Sequence, residues 1–175
     1  MNIKELLKKR ISIRKYQSKP VSKKIIYELL DAARLSPSSK NTQPWKFKII
    51  QDSKTKKILK KFNVFKQDFV YSAPIILVCC SDLNVYKKSR NKKYSSYRKK
   101  WALVDLSIAC SNLVLKATEL GLGTCYIGLM QEKKLKKLLN IPKNYIIPYN
   151  ITIGYPEKDP DQIYTKRKKI KEIII

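Results

Sequence analysis

The chain has 175 residues, 43% of them hydrophobic, and carries 39 Lys and Arg against 13 Asp and Glu, a formal charge of +26. That length and apolar content suit one α+β domain over residues 1–175 with a sizeable core, and they exclude a disordered chain. Histidine is absent, which removes Ser-His and Cys-His nucleophile systems and imidazole zinc sites, so the chemistry falls to carboxylates, Lys, Tyr, Cys or a bound cofactor; no metal site is expected.

In chain order, Ile3, Leu6 and Leu7 have helical spacing and predict a short helix over residues 2–9. Arg10 to Tyr16 breaks that pattern and reads as extended, with Ile11 and Ile13 alternating against Ser12 and Arg14. Ser22 is placed to cap a second helix whose apolar face is Ile25, Ile26, Leu29, Leu30 and Ala33, ending near Ser36-Pro37. Residues 37–44 form a polar loop between two prolines. A strand over 46–51 and a helix over 54–62 follow. Ile75 to Ser81 is an apolar run expected as a central strand buried on both faces.

Residues 82–100 carry scattered apolar groups and three tyrosines, Tyr86, Tyr94 and Tyr97, which suit a lid, a pocket wall or a plain surface loop. Trp101 to Leu120 is the longest helical pattern, with Leu103, Leu106, Ala109, Cys110, Leu113 and Ala117 on its apolar side, and Gly121 closes it. A strand at 125–129, a helix at 132–139 and a strand at 145–153 complete the pattern. The chain ends on Ile173, Ile174 and Ile175.

The lysines are spread along the whole chain instead of forming one block, so the charge reads as solvated surface plus one anionic-ligand site. No dedicated nucleic-acid or membrane partner is expected. No run approaches the ~20 consecutive apolar residues of a membrane span, and residues 1–5 lack the apolar core of a signal peptide. Cys79, Cys80, Cys110 and Cys125 include no C-x-x-C pair and read as buried free thiols, which agrees with a reducing cytoplasm.

Three segments carry possible chemistry. In an extended Arg10–Arg14 segment, Arg10, Ser12 and Arg14 project to one side, an arrangement that suits a phosphate or, equally, solvated arginines on an edge strand. The run Ser36-Pro37-Ser38-Ser39-Lys40-Asn41-Thr42-Gln43 offers many donors with little bulk, fit either for a polar ring system or for an ordinary capped turn. Gly121 and Gly123 mimic half of a dinucleotide fingerprint. They follow a helix and precede a strand, the reverse of the Rossmann order, so that reading is rejected; Gly128 instead suits close backbone approach to a ligand.

Arg10-Ile-Ser-Ile-Arg14-Lys-Tyr, then Ala32 to Trp45, then Asp105 to Gly128 with Glu119-Leu-Gly-Leu-Gly-Thr-Cys-Tyr-Ile-Gly128, then Ile153-Gly-Tyr-Pro156 and Arg167 to Glu172 together resemble the nitroreductase family, in order and spacing. The resemblance implies a nitroreductase-like fold: a central, mainly antiparallel sheet flanked by helices in an intertwined homodimer, with the C-terminal strand, residues 170–174, exchanged. It implies FMN at the dimer interface and NADH or NADPH as co-substrate. By position, Arg10, Ser12 and Arg14 meet the phosphate, ribityl and pyrimidine side of one FMN. Pro37, Ser38, Ser39 and Asn41 reach it from the partner subunit, Tyr126, Ile127, Gly128 and Leu129 line the ring through backbone groups, and Arg167 closes on the phosphate. Asn63 or Lys66 is a weaker candidate for the pyrimidine edge. No side chain is assigned as catalytic: the chemistry belongs to the flavin N5, and Arg14 gives electrostatic support. The expected acceptor is a small molecule, nitroaromatic or quinone-like. Two other readings remain open, a flavin-binding protein with another redox reaction or a storage role, and a basic nucleic-acid-binding protein.

Overall fold

The computed structural model describes residues 2–87, 96–157 and 166–175. Four strands, β1 (Trp45–Ile50), β2 (Ile75–Asp82), β3 (Gly123–Ile127) and β4 (Tyr145–Gly154), form one antiparallel sheet in the order β1-β2-β4-β3. Among the described residues the helices are α1 (Ile3–Lys9), α2 (Lys23–Arg34), α3 (Ser53–Lys61), the single turn α4 (Phe69–Ser72), α5 (Arg98–Glu119) and α6 (Glu132–Leu139).

Alternation along β2 divides the core. Ile75, Leu77 and Cys79 join α2 and α5 on one face, with Leu29, Leu106, Leu113 and Ile151. Ile76, Val78 and Cys80 join α3, α4 and α6 on the other, with Leu59, Val70, Leu135 and Ile147. Both faces of β2 are covered, which is why its sequence is an unbroken apolar run. All four cysteines are free and buried, and burial pushes the Cys80 thiol up to about 12.

The helix ends follow their sequence signals. Ser22 accepts from the Ile25 N–H at the start of α2, and Asp52 accepts from the Thr55 N–H at the start of α3. At the end of α5, Gly121 takes φ 74°, its N–H donates to Thr118 O at 3.2 Å, and Leu122 N–H donates to Ala117 O at 2.8 Å. Those two bonds make a Schellman cap. By length and apolarity α5 would pass for a membrane span, but half of that window is buried within the protein, against α2 and the sheet.

Three expectations change. β3 begins at Gly123, two residues earlier than expected, because the missing side chain there makes room for Ile13 beside the strand. Tyr86 is no lid or loop residue: it sits at the end of the 3-10 turn Leu83–Tyr86 and is fully buried, while Tyr97 is exposed and Tyr94 lies outside the described residues. In the single chain, Ile170–Glu172 form a 3-10 turn instead of a strand, and Ile173 and Ile174 are exposed; a strand there needs a partner sheet.

Candidate functional site

β3 is an edge strand, and the Arg10–Tyr16 segment lies along it. Ser12 forms a parallel bridge with Thr124, Ile13 N–H donates to Thr124 O at 2.9 Å, and Gln17 N–H donates to Tyr155 O at 2.9 Å. Ile13 is buried against Gly123. The alternation that buries Ile13 turns Ser12 and Arg14 the other way. Tyr16 anchors the end of the segment: its hydroxyl donates to Ile13 O at 2.6 Å and shares a 2.8 Å hydrogen bond with Thr152 Oγ1. Burial raises the Tyr16 pKa well above the ordinary tyrosine value, so the hydroxyl stays protonated and remains a donor.

Cys125 follows Thr124 on β3, beside this segment. Burial raises its thiol pKa, opposed by the Arg14 charge, by a hydrogen bond with Ser12 and by the Arg10 charge. Arg14 and Ser12 are exposed and Arg10 is half-buried, leaving donors free to meet an anion from solvent. The segment meets β3 at Thr124, with Cys125 to Ile127 of the strand still to run.

Beyond that point the surface is open. Tyr126 and Leu129 are exposed, the Ile127 side chain is buried, and a Cβ at Gly128 would meet nothing within 4 Å. Ile127 therefore offers only backbone groups. The turn after α3 adjoins this stretch: Gln131 Nε2 donates to Asn63 O at 2.7 Å, and Phe65 bridges Met130. Asn150, fully buried on β4, donates Nδ2 to Met130 Sδ at 2.8 Å, and its Oδ1 has no hydrogen-bond partner.

The Pro37–Asn41 loop stands against α5. Ser39 N–H donates to Asp105 Oδ1 at 3.0 Å, and Asn112 Nδ2 donates to Ser36 Oγ at 2.7 Å. Within the loop, Ser38 Oγ accepts from Gln43 N–H at 2.9 Å and Asn41 Oδ1 accepts from Gln43 Nε2 at 3.0 Å. The single chain thus holds the candidate residues in two separate places, Arg10–Arg14 with the end of β3, and the Ser38–Asn41 loop on α5. Arg167 is exposed in the C-terminal segment, beyond residues 158–165, which are not described. Tyr16, Cys125 and Asp105 stand within the family-like stretches, but sequence reasoning assigned none of them a role at the site. Asp105 had a signal: it is a carboxylate at helical spacing within the apolar stripe Ala102, Leu106, Ala109.

A flavin mononucleotide joins a dianionic phosphate to a flat polar ring, and the residues present fit that pair. Two guanidiniums and a hydroxyl suit the phosphate end, and the exposed stretch with no side chain at Gly128 leaves room for a ring.

Fold and site together define an α+β protein with a basic sheet edge beside an exposed stretch of backbone. The chain matches the sequence profile of the Nitroreductase family over residues 7–64 and 56–155, and it belongs to that family of oxidoreductases. A protein of Archaeoglobus fulgidus, provisionally described as an NADH dehydrogenase/NAD(P)H nitroreductase, is 31% identical over 156 residues, 87% of this chain and 84% of that protein. An NADH dehydrogenase of Thermus thermophilus is 28% identical over 175 residues, 86% of this chain and 85% of its own. Among solved structures, a nitroreductase family protein of Clostridium difficile superposes with a TM-score of 0.82 at 28% identity, covering 100% of this chain and 98% of that one.

Proposed function

We propose that the protein is an FMN-dependent oxidoreductase that takes reducing equivalents from NADH or NADPH and passes them to a nitroaromatic or quinone-like acceptor in a ping-pong cycle. The observation that carries this reading is the bridge from Ser12 to Thr124, which sets the Arg10–Arg14 segment on the edge of β3, the strand that leads to the exposed stretch at Gly128. The names of the Archaeoglobus and Thermus relatives support the nicotinamide as reductant.

FMN, when bound, supplies hydride acceptance at N5 and its return to the second substrate. The chain binds and orients. Arg10 and Ser12 hold the phosphate and ribityl end, Tyr126 to Leu129 support the ring through backbone groups, and Arg167 closes on the phosphate. Arg14 supplies the positive charge that stabilises the electron density gained near N1 and O2 on reduction. The protonated, hydrogen-bonded Tyr16 keeps this segment at the sheet edge.

The working unit in this reading is a homodimer. α5 turns Leu103, Val104 and Ile108 outwards, all exposed in the single chain, and such a face on a core helix calls for a partner. Ser38, Ser39 and Asn41 of each protomer reach the flavin held by the other, and the tail from Ile170 to Ile174 crosses to add a strand. A cytoplasmic setting belongs to the same proposal, supported by four free buried thiols.

Titrating the apo-protein with FMN and then varying NADH against a nitroaromatic acceptor tests the proposal. Saturable quenching of flavin fluorescence at one FMN per protomer and parallel double-reciprocal lines are expected. Lack of saturable binding overturns the flavin reading, and intersecting lines overturn the ping-pong order.

A further inference from the structure

The loop from Ser36 to Pro44 holds an unusual backbone. Lys40, Asn41 and Gln43 take φ of 51°, 53° and 45°, three left-handed non-glycine residues among four consecutive positions. Such a backbone persists only where its surroundings over-determine it. One carboxylate is central to what holds it. Asp105, 2% exposed, accepts the Ser39 N–H on Oδ1 at 3.0 Å and the Tyr86 hydroxyl on Oδ2 at 2.8 Å. Thr42 Oγ1 approaches Oδ2 at 3.5 Å, the outer limit of a hydrogen bond. A carboxylate this deep needs donors on both oxygens: the loop supplies Oδ1 through Ser39, and Tyr86 supplies Oδ2 with Thr42 at the limit.

We infer that Asp105 is a positioning residue for the flavin site: it sets the geometry of the Ser38–Asn41 loop through Ser39 and Thr42 without touching the cofactor itself. This rests on the flavin reading above. Tyr86 is its partner, buried so that its hydroxyl orients the carboxylate towards the loop. About two helical turns further towards the C-terminus, Asn112 fixes the start of the loop through Ser36, so α5 grips it at two places. Asp105 also follows directly on Leu103 and Val104, which face outwards. The turn of helix offered to a second protomer is the turn that holds the loop, so dimer contact and flavin contact are fixed by one rigid element.

Hydrogen exchange at the Ser39 amide in the apo-protein, together with FMN affinity by fluorescence quenching, tests the inference on Asp105→Ala, Asp105→Asn and Tyr86→Phe. In Asp105→Ala the Ser39 amide should exchange at least about tenfold faster and the FMN dissociation constant should rise about tenfold or more, while β2 and β4 amides keep their protection. Asp105→Asn retains one acceptor oxygen for Ser39 and should recover part of both losses. Should Asp105→Ala fail to fold, Tyr86→Phe removes a single hydroxyl and should give smaller shifts in the same direction. Wild-type exchange and affinity in the variants that fold overturn the inference, as does a rise in exchange spread evenly over the sheet, which would mark a merely structural role. A wild-type protein that takes up no FMN overturns the flavin reading and this role with it, whereas variants that match a flavin-binding wild type overturn this role alone.

Discussion

Gly123→Ala should detach the Arg10–Arg14 segment from the sheet. A Cβ at Gly123 would lie 2.7 Å from Ile13 Cβ and Cγ1 and 2.8 Å from Cγ2. Carbon atoms rest about 3.5–4.0 Å apart, so roughly 1 Å of movement is needed. Rotation about χ1 gives no relief, because Cβ itself is in the collision. The strand is the less free partner: Gly123 pairs with Gly154, and a Cβ there would in turn meet Pro74 at 2.6 Å and Tyr16 at 2.9 Å. The segment therefore moves, and a shift of about 1 Å takes the 2.9 Å bond from Ile13 N–H to Thr124 O beyond hydrogen-bonding distance. Overpacking costs about 1–3 kcal/mol and the lost bond about 1 kcal/mol, so the variant should lose about 2–4 kcal/mol. Displacing one guanidinium from the phosphate removes roughly 1.5–3 kcal/mol, about a ten- to hundredfold weaker FMN complex. Urea unfolding and flavin fluorescence titration measure both. Gly128→Ala is the control: with nothing within 4 Å of its new Cβ it should unfold at the wild-type midpoint yet bind FMN less tightly. A Gly123→Ala protein with wild-type midpoint and affinity would refute the packing argument.

Arg14→Ala and Arg167→Ala should each weaken FMN about ten- to a hundredfold, as measured by equilibrium titration; unchanged dissociation constants in both would contradict their assignment. Ile108→Arg places a charge on the exposed face of α5 and should shift the protein to monomer in sedimentation at micromolar concentration, with loss of bound flavin; a stable dimer would place the interface elsewhere. Asp52→Ala removes the cap of α3 and should cost about 1 kcal/mol at neutral pH. The hydrogen bond from the Thr55 amide, first among the causes, holds the Asp52 pKa below its ordinary value of 3.8, so the contribution is present above that value and fades as pH falls through the lowered folded pKa. Thermal melts of variant and wild type should converge in acid, and a gap independent of pH would sink the account.

Elements whose causes are local were legible in the sequence. The Ser22 cap and the apolar stripe of α2 act over three or four residues, and β2 reveals itself as an unbroken apolar run. The start of β3 was not legible, because Gly123 looks like turn punctuation until Ile13, more than a hundred residues away, occupies the space of its side chain. Tyr86 stood among Lys and Ser in a polar stretch, and only the Asp105 carboxylate on α5 explains its burial. At the site, the alternation around Ile13 foretold that Ser12 and Arg14 face away from the core, whereas the pairing of the segment with β3 depends on the bridge between Ser12 and Thr124. The C-terminal isoleucines announce a need for burial without naming the surface that meets it.

Anaerobic titration of the FMN-reconstituted protein with NADH and then NADPH, followed at the visible flavin absorbance, tests the central claim most directly. The account predicts stoichiometric bleaching by at least one nicotinamide, followed by full return of the absorbance when a quinone or nitroaromatic is added. A protein that holds FMN but keeps its full absorbance with both nicotinamides would contradict it.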